Sequence, residues 1–253
     1  MGNNQTSAVL LQTDRLSKLF GRMAAVKRLS LKVKKGELKS IMGPNGAGKT
    51  TLFNLISGKL PPTQGSVVFK GEDITGSPPS TIAQKGMARS FQITNIFSGL
   101  TVFENVRIAV QQRHKKRSAF YTRAWSLSEI NEGTEEILKR IGLIEYREHL
   151  AKNLSYGDQR HLEIALTLAM EPDLLLLDEP TSGMSSLETR NTIHLIETLA
   201  DSVTILMIEH KMDVVMSLSD RILVMHFGQK IAEGTPREVE QDPLVREAYL
   251  GGL

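Results

Sequence analysis

An α/β fold is the expectation for this chain: a core with a mostly parallel sheet, N-terminal antiparallel strands ahead of it, and an inserted helical subdomain. Three observations carry that expectation. Strand-length apolar runs at Leu174 to Asp178, Val203 to Ile208 and Arg221 to His226 alternate with helical stretches. A strand, a glycine-rich loop and a helix follow one another between Leu38 and Gly58. From Val102 to about Leu150 the pattern changes to helix-like segments with charge clusters.

Taken in order, Val9 to Leu11, Leu29 to Val33 and Leu38 to Met42 are apolar or alternating runs of strand length. The glycine-rich loop Gly43-Pro44-Asn45-Gly46-Ala47-Gly48-Lys49-Thr50 comes next. In Thr50 to Ser57, Leu52, Phe53, Leu55 and Ile56 stand at helical spacing, and Gly58 supplies a C-cap. Gly65 to Gly71 reads as a further strand between glycines, leading to Phe91-Gln92. Leu162, Ala165, Leu166 and Ala169 share one helical face, so Leu154-Ser155-Tyr156-Gly157-Asp158 opens a helix. Thr235-Pro236-Arg237-Glu238 is a capping box with proline in the first turn, where a terminal helix starts. One unit over residues 8–253 results, with 8–101 and 171–253 as core and about 102–170 as helical subdomain.

With 253 residues, 40% hydrophobic and 23% charged, the chain suits a single globular unit with a sizeable core. The densest apolar run, Leu174 to Leu177, ends in Asp178, far short of the roughly 20 residues that span a bilayer. Any membrane role is therefore expected to go through partners. Cysteine is absent, which excludes disulfides and thiolate chemistry, and Met1 to Ser7 is polar without a signal core, so the cytoplasm is the expected compartment. Net charge is +3. The basic run Arg113-His114-Lys115-Lys116-Arg117 suits a solvated face, or contact with lipid headgroups or an acidic loop; no aromatics interleave as nucleic acid would require. The six histidines lack metal-ligand spacing.

The chemistry sits in three places. The loop from Gly43 matches the P-loop pattern: its glycines turn backbone amides toward phosphates and the helix start adds its dipole. Lys49 is placed for the β and γ phosphates of ATP, at roughly 4 kcal/mol for a charge pair about 4 Å apart at an effective dielectric of 20. Thr50 offers its hydroxyl to Mg²⁺. The core is thus a P-loop NTPase. Asp178 and Glu179 end an apolar strand, where open α/β sheets bind ligands, with Asp178 expected to hold Mg²⁺ and Glu179 to orient and deprotonate water. Ser155 and the Gly157 amide stand at a helix N-terminus, an anion site suited to a γ-phosphate. Since Lys49 grips ATP from the other side, a head-to-tail dimer with two sandwiched ATPs resolves the geometry.

In these motifs the chain resembles the ATP-binding cassette family from about residue 9 to its end. The resemblance implies that Gln92 ligates Mg²⁺ and senses the γ-phosphate, and that His210, after the strand ending at Ile208, contacts that phosphate. Phe20 matches the aromatic position that stacks on adenine, although a bare Phe at that spacing equally suits a core. The implied catalytic set is Glu179, His210 and Lys49, and the metal set Thr50, Gln92 and Asp178. Gly43, Pro44, Asn45, Gly46, Ala47, Gly48, Lys49, Thr50 and Thr51 join Phe20, Gln92, Ser155 and Gly157 on ATP. Two departures stand out: the signature carries Tyr156 and Asp158 in place of the commoner glycine and glutamine, and Ser182-Gly183-Met184-Ser185-Ser186 lacks the usual D-loop aspartate.

Phe91 to Phe97, Leu100 to Val106, Leu154 to Arg160 and the tail Glu247-Ala248-Tyr249-Leu250-Gly251 look like ATPases of branched-chain amino acid importers. Urea and short-chain amide importers look nearly the same. The resemblance implies a second ATPase subunit, identical or paralogous, transmembrane permeases, a solute-binding protein behind them, and a place on the cytoplasmic face of the membrane. A soluble, non-transport ABC ATPase would predict fused cassettes or a long coiled coil. A P-loop kinase or GTPase would leave Leu154 to Asp158 and His210 unexplained.

Overall fold

The computed structural model describes residues 8–90, 96–113 and 128–250. Gln92 and residues 114–117 of the basic run lie outside these. Two sheets organise the chain. The first is antiparallel and four-stranded, β2-β1-β4-β5, built from β1 (Val9–Phe20), β2 (Met23–Lys34), β4 (Gln64–Phe69) and β5 (Glu72–Asp73). Its β1–β2 hairpin turns at Gly21, whose φ of 58° is freely available to glycine. Both strands outrun the short apolar runs of the sequence, because charged residues alternate outward along them while Leu11, Leu16, Leu29, Leu31 and Val33 stay buried.

The second sheet has six strands in the order β10-β9-β3-β8-β7-β6. Here β3 (Leu38–Met42), β6 (Met87–Arg89), β7 (Leu174–Asp178), β8 (Thr204–Ile208) and β9 (Arg221–His226) pair in parallel, and β10 (Gln229–Gly234) closes one edge antiparallel. Strand side chains alternate between faces. In β7, Leu174 and Leu176 pack with Phe53, Leu55 and Ile56 of α1 (Lys49–Ile56) and with the antiparallel sheet. Leu175 and Leu177 face Val214, Leu195 and the helices on the other side. Buried on both faces, β7 and β8 read as unbroken apolar runs, and each such leucine contributes about 1.5–3 kcal/mol of transfer free energy.

Between β6 and β7 run α2's successors α3 (Val102–Arg113), α4 (Ser128–Arg140) and α5 (Tyr156–Leu168), after the short α2 (Pro79–Gln84) has led into β6. Val106, Leu138 and Leu162 share one apolar cluster with Leu175 and Leu177, so these helices pack continuously onto the sheet. The chain then passes through α6 (Ser186–Ala200) and α7 (Met212–Leu218).

The terminal helix is split. Its capping box forms as expected, with Thr235 accepting from the Glu238 amide, but α8 (Pro236–Gln241) ends at Asp242, which is extended, and α9 (Pro243–Leu250) follows. The ring of Pro243 disfavours helical backbone at the residue before it.

Candidate functional site

The loop between β3 and α1 owes its path to two glycines. A Cβ at Gly43 (φ 152°) would collide with the Met225 carbonyl oxygen, and one at Gly48 (φ 99°) with that of Ala25. The loop is braced from outside, since the Gly228 amide donates to the Ala47 carbonyl at 3.0 Å. Lys49, 6% exposed, donates to the carbonyls of Gly43 at 2.6 Å and Pro44 at 3.1 Å. Burial lowers its pKa, against the opposing pull of Glu179 and then Asp178.

Around it lies a cavity of about 680 Å³ lined by Asn45 to Thr51, Phe20 and Glu179. Phe20 is 45% exposed and not a core residue. The lining also includes Arg22, Met23, Lys27 and Phe227. None of these four carries a motif signal; the β1–β2 hairpin and the β9–β10 turn bring them in. Ser155 and Gly157 are not part of this lining.

The acid pair sits at the end of β7, two strands away from β3. Asp178 is buried, its Oδ2 bound to Arg89 at 2.7 Å and its Oδ1 without a hydrogen-bond partner among the described residues. Glu179 has φ 48°, a left-handed conformation that costs a non-glycine residue about 1–3 kcal/mol and concentrates at functional sites. Its amide is held by the Ile208 carbonyl at 2.9 Å. Its carboxylate lies 3.9 Å from Nδ1 of His210, which is exposed at the end of β8. The structure thus brings Glu179 and His210 together.

Glu209, fully buried, organises this corner. It accepts hydrogen bonds from the amides of Thr181 at 3.1 Å, His210 at 2.8 Å and Lys211 at 3.3 Å, and from the Thr181 hydroxyl. Sequence reasoning missed it, although an acid closing an apolar strand was the signal that drew attention to Asp178-Glu179.

The second phosphate-facing candidate opens α5. Ser155 is its N-cap, accepting from the Asp158 amide at 3.2 Å while its hydroxyl donates to Asp158 Oδ2 at 2.8 Å. The Gly157 amide donates to Glu188 Oε1 at 3.0 Å. The other oxygen of Glu188 closes the capping box of α6 on Ser185. Hydrogen bonds from the Ser185 hydroxyl and amide, then from Gly157, hold the Glu188 carboxyl below its ordinary pKa. The two departures noted in the sequence are neighbours, for a Cβ at Gly183 would rest on the Tyr156 ring at 3.5 Å. Further along, His161 Nε2 meets Thr192 Oγ1 at 2.9 Å, and that hydroxyl touches Met184 Sδ at 3.3 Å.

A glycine loop that opens a helix on a parallel sheet, two strands from a buried aspartate followed by a part-exposed glutamate, is the arrangement of a P-loop nucleoside-triphosphate hydrolase. Comparison with known proteins narrows this. The ABC transporter family model matches residues 26–182, and a model described as branched-chain amino acid ATP-binding cassette transporter matches residues 229–252. The chain is 41% identical to the high-affinity branched-chain amino acid transport ATP-binding protein LivG of Salmonella typhimurium, across 97% of this chain and 99% of that protein. BraF of Pseudomonas aeruginosa, described in the same words, is 40% identical over the same shares. Among solved structures, the ADP conformation of MJ1267, an ATP-binding cassette of an ABC transporter, superposes with a TM-score of 0.85 at 33% identity, over 97% and 100% of the two chains. A dimeric post-hydrolysis state of the cassette MJ0796 bound to ADP and Pi gives 0.75 at 28% identity, over 90% and 99%. The chain belongs to the ABC transporter family and is one of its nucleotide-binding ATPases.

Proposed function

We propose that this chain is the ATP-hydrolysing subunit of an importer for branched-chain amino acids, working at the cytoplasmic face of the membrane against transmembrane permeases fed by a solute-binding protein. The cargo rests on the relatives, which carry that description and match end to end. A urea or short-chain amide importer, or a soluble ABC ATPase, has no such support. Among the described residues no helix is long and apolar enough to cross a membrane, so the path for solute belongs to partners. An apolar groove of about 570 Å³, lined by Ile82, Ala83, Met87, Leu166 and Met170, lies between the sheet and α5 and suits a permease helix.

One observation carries the mechanism: Ser155 and Gly157 lie outside the cavity around their own chain's Lys49. Two copies, or this chain and a paralogue, would close head to tail so that one protomer's Lys49 and the other's Ser155 and Gly157 share a γ-phosphate. Shifting such a pair from 1:99 to 99:1 closed takes about 5.5 kcal/mol, within reach of a few charge-assisted hydrogen bonds at about 1.5–3 kcal/mol each. In this reading Gly43 to Thr51 cradle the phosphates, Phe20 stacks on adenine, Glu179 activates water, and His210 and Gln92 contact the γ-phosphate. Residues 8–101 and 171–253 form the core that carries ATP, and about 102–170 the helical part that carries the signature.

The donors fit Mg²⁺, a cation that prefers oxygen and keeps phosphate and water ligands. Asp178 Oδ1 is buried and uncommitted, and Thr50 adds a hydroxyl at the start of α1. Gln92 would complete the protein's share. Bound there, the ion would neutralise phosphate charge.

The test is reconstitution. The chain should co-purify with membrane permeases, and in vesicles with them and a binding protein its ATPase rate should rise with leucine, isoleucine or valine. Stimulation by urea or acetamide alone would overturn the cargo, and activity indifferent to any permease would overturn transport.

A further inference from the structure

Arg89 is assigned no role by any motif, yet three side chains hold its guanidinium at the site, while its buried Nε has no hydrogen-bond partner among the described residues. It ends β6, where its backbone pairs with Leu176 of β7. Its guanidinium donates to Asp178 Oδ2 at 2.7 Å, to Asn54 Oδ1 at 2.7 Å and to Ser57 Oγ at 3.0 Å. It also lies over the Phe53 ring, 5.6 Å from the centroid. The ion pair is nearly dry, with side-chain exposures of 12% for Arg89 and 1% for Asp178.

Two features give this contact a direction. First, Arg89 takes one oxygen of Asp178 and leaves Oδ1 buried without a partner, so the carboxylate has one committed and one available donor. A planar guanidinium with several fixed donors, tied at once to α1 and β7, sets which oxygen is which; a flexible ammonium would keep the charge and do so only in part. Second, Arg89 lines the apolar groove beside Met87, Ala88 and Ser90, and the segment holding Gln92 begins two residues later. One side chain thus forms part of the groove wall and grips the carboxylate. Breaking the pair from one side would strand a buried charge.

We propose that Arg89 is a positioning residue that presents Asp178 Oδ1 to Mg²⁺. This rests on the reading of Asp178 as a metal ligand. Partners that orient a metal's ligands are worth about 10- to 100-fold in metal affinity.

The experiment measures binding of a fluorescent ATP analogue to the full chain, in EDTA and in Mg²⁺, for wild type, Arg89→Gln and Arg89→Lys. Affinity in EDTA should be unchanged. The gain that Mg²⁺ confers should shrink by about 10- to 100-fold in Arg89→Gln and partly return in Arg89→Lys. An undiminished Mg²⁺ gain in Arg89→Gln would overturn the proposal. Should that variant fail to fold, Asn54→Ala combined with Ser57→Ala keeps the ion pair but frees the guanidinium; a smaller loss of the same sign supports the role, and no loss overturns it. A wild-type chain that binds no nucleotide in EDTA or Mg²⁺ would instead sink the functional reading itself.

Discussion

The two ends of this chain proposed to meet phosphate are satisfied in opposite ways. At the P-loop, Lys49 is turned onto the neutral carbonyls of Gly43 and Pro44. At the start of α5, the Ser155 hydroxyl and the Gly157 amide are held by two carboxylates, Asp158 and Glu188. A phosphate arriving at Lys49 replaces neutral acceptors with an anion, and gains from a buried cation that lacks solvent. A phosphate arriving at Gly157 must displace an anion of like charge. In the proposed reading the first end binds ATP in a lone protomer. The second would accept it only when a partner presents it, so in that reading the signature end separates the nucleotide-loaded pair from the isolated chain.

Several changes would break or sharpen that contrast, and the largest concerns neither grip. Glu179→Gln should lower turnover by about 10²- to 10⁴-fold, the range of general-base catalysis, while ATP binding stays intact and ATP-loaded pairs accumulate on a sizing column. Lys49→Ala removes charge-assisted bonds at about 1.5–3 kcal/mol each, so ATP affinity measured by calorimetry should fall roughly 10- to 100-fold. Ser155→Ala should leave that affinity within about twofold and cost about 1 kcal/mol of helix capping, with ATP-driven association lost instead.

Glu188→Gln tests the carboxylate at Gly157 directly. It keeps an acceptor for Ser185 but removes the charge, so half-maximal association should need about two- to fivefold less ATP, the scale of a single charge at a helix end. The smallest effect concerns His161, whose pKa burial holds below the ordinary imidazole value near 6.5. Its neutral form is the folded one. Stability is therefore full above that value and declines as pH falls through it, where the unfolded chain takes up the proton first. The melting temperature should drop between about pH 7.5 and 5.5, and His161→Gln should flatten that decline.

Much of the fold was legible because buried parallel strands write themselves as uninterrupted apolar runs. Leu174 to Asp178, Leu38 to Met42 and Arg221 to His226 match β7, β3 and β9 residue for residue. Ser155 was readable as a cap because the apolar face behind it starts at Leu162. Edge strands were not. Gln229–Gly234 is half polar and exposed to one side, and Met87–Arg89 has three residues, so neither leaves a pattern. In the site, Lys49, Asp178 and Glu179 declare themselves through local spacing. Arg89, Glu188 and Glu209 act on residues 89, 31 and 28 positions away, through pairings that exist only once β6, α6 and β8 are in place. Their types are ordinary for a surface; Glu209 closes an apolar strand and Glu188 completes a Ser-x-x-Glu cap, but neither pattern tells which distant residue it will hold.

Mixing two disabled chains measures the division of labour most directly. In a Glu179→Gln background, Lys49→Ala and Ser155→Arg variants would each be followed by light scattering with ATP, alone and together. The account predicts that neither associates alone, and that the mixture does, because one composite site then combines an intact P-loop with an intact signature. Normal association of Ser155→Arg by itself would contradict it.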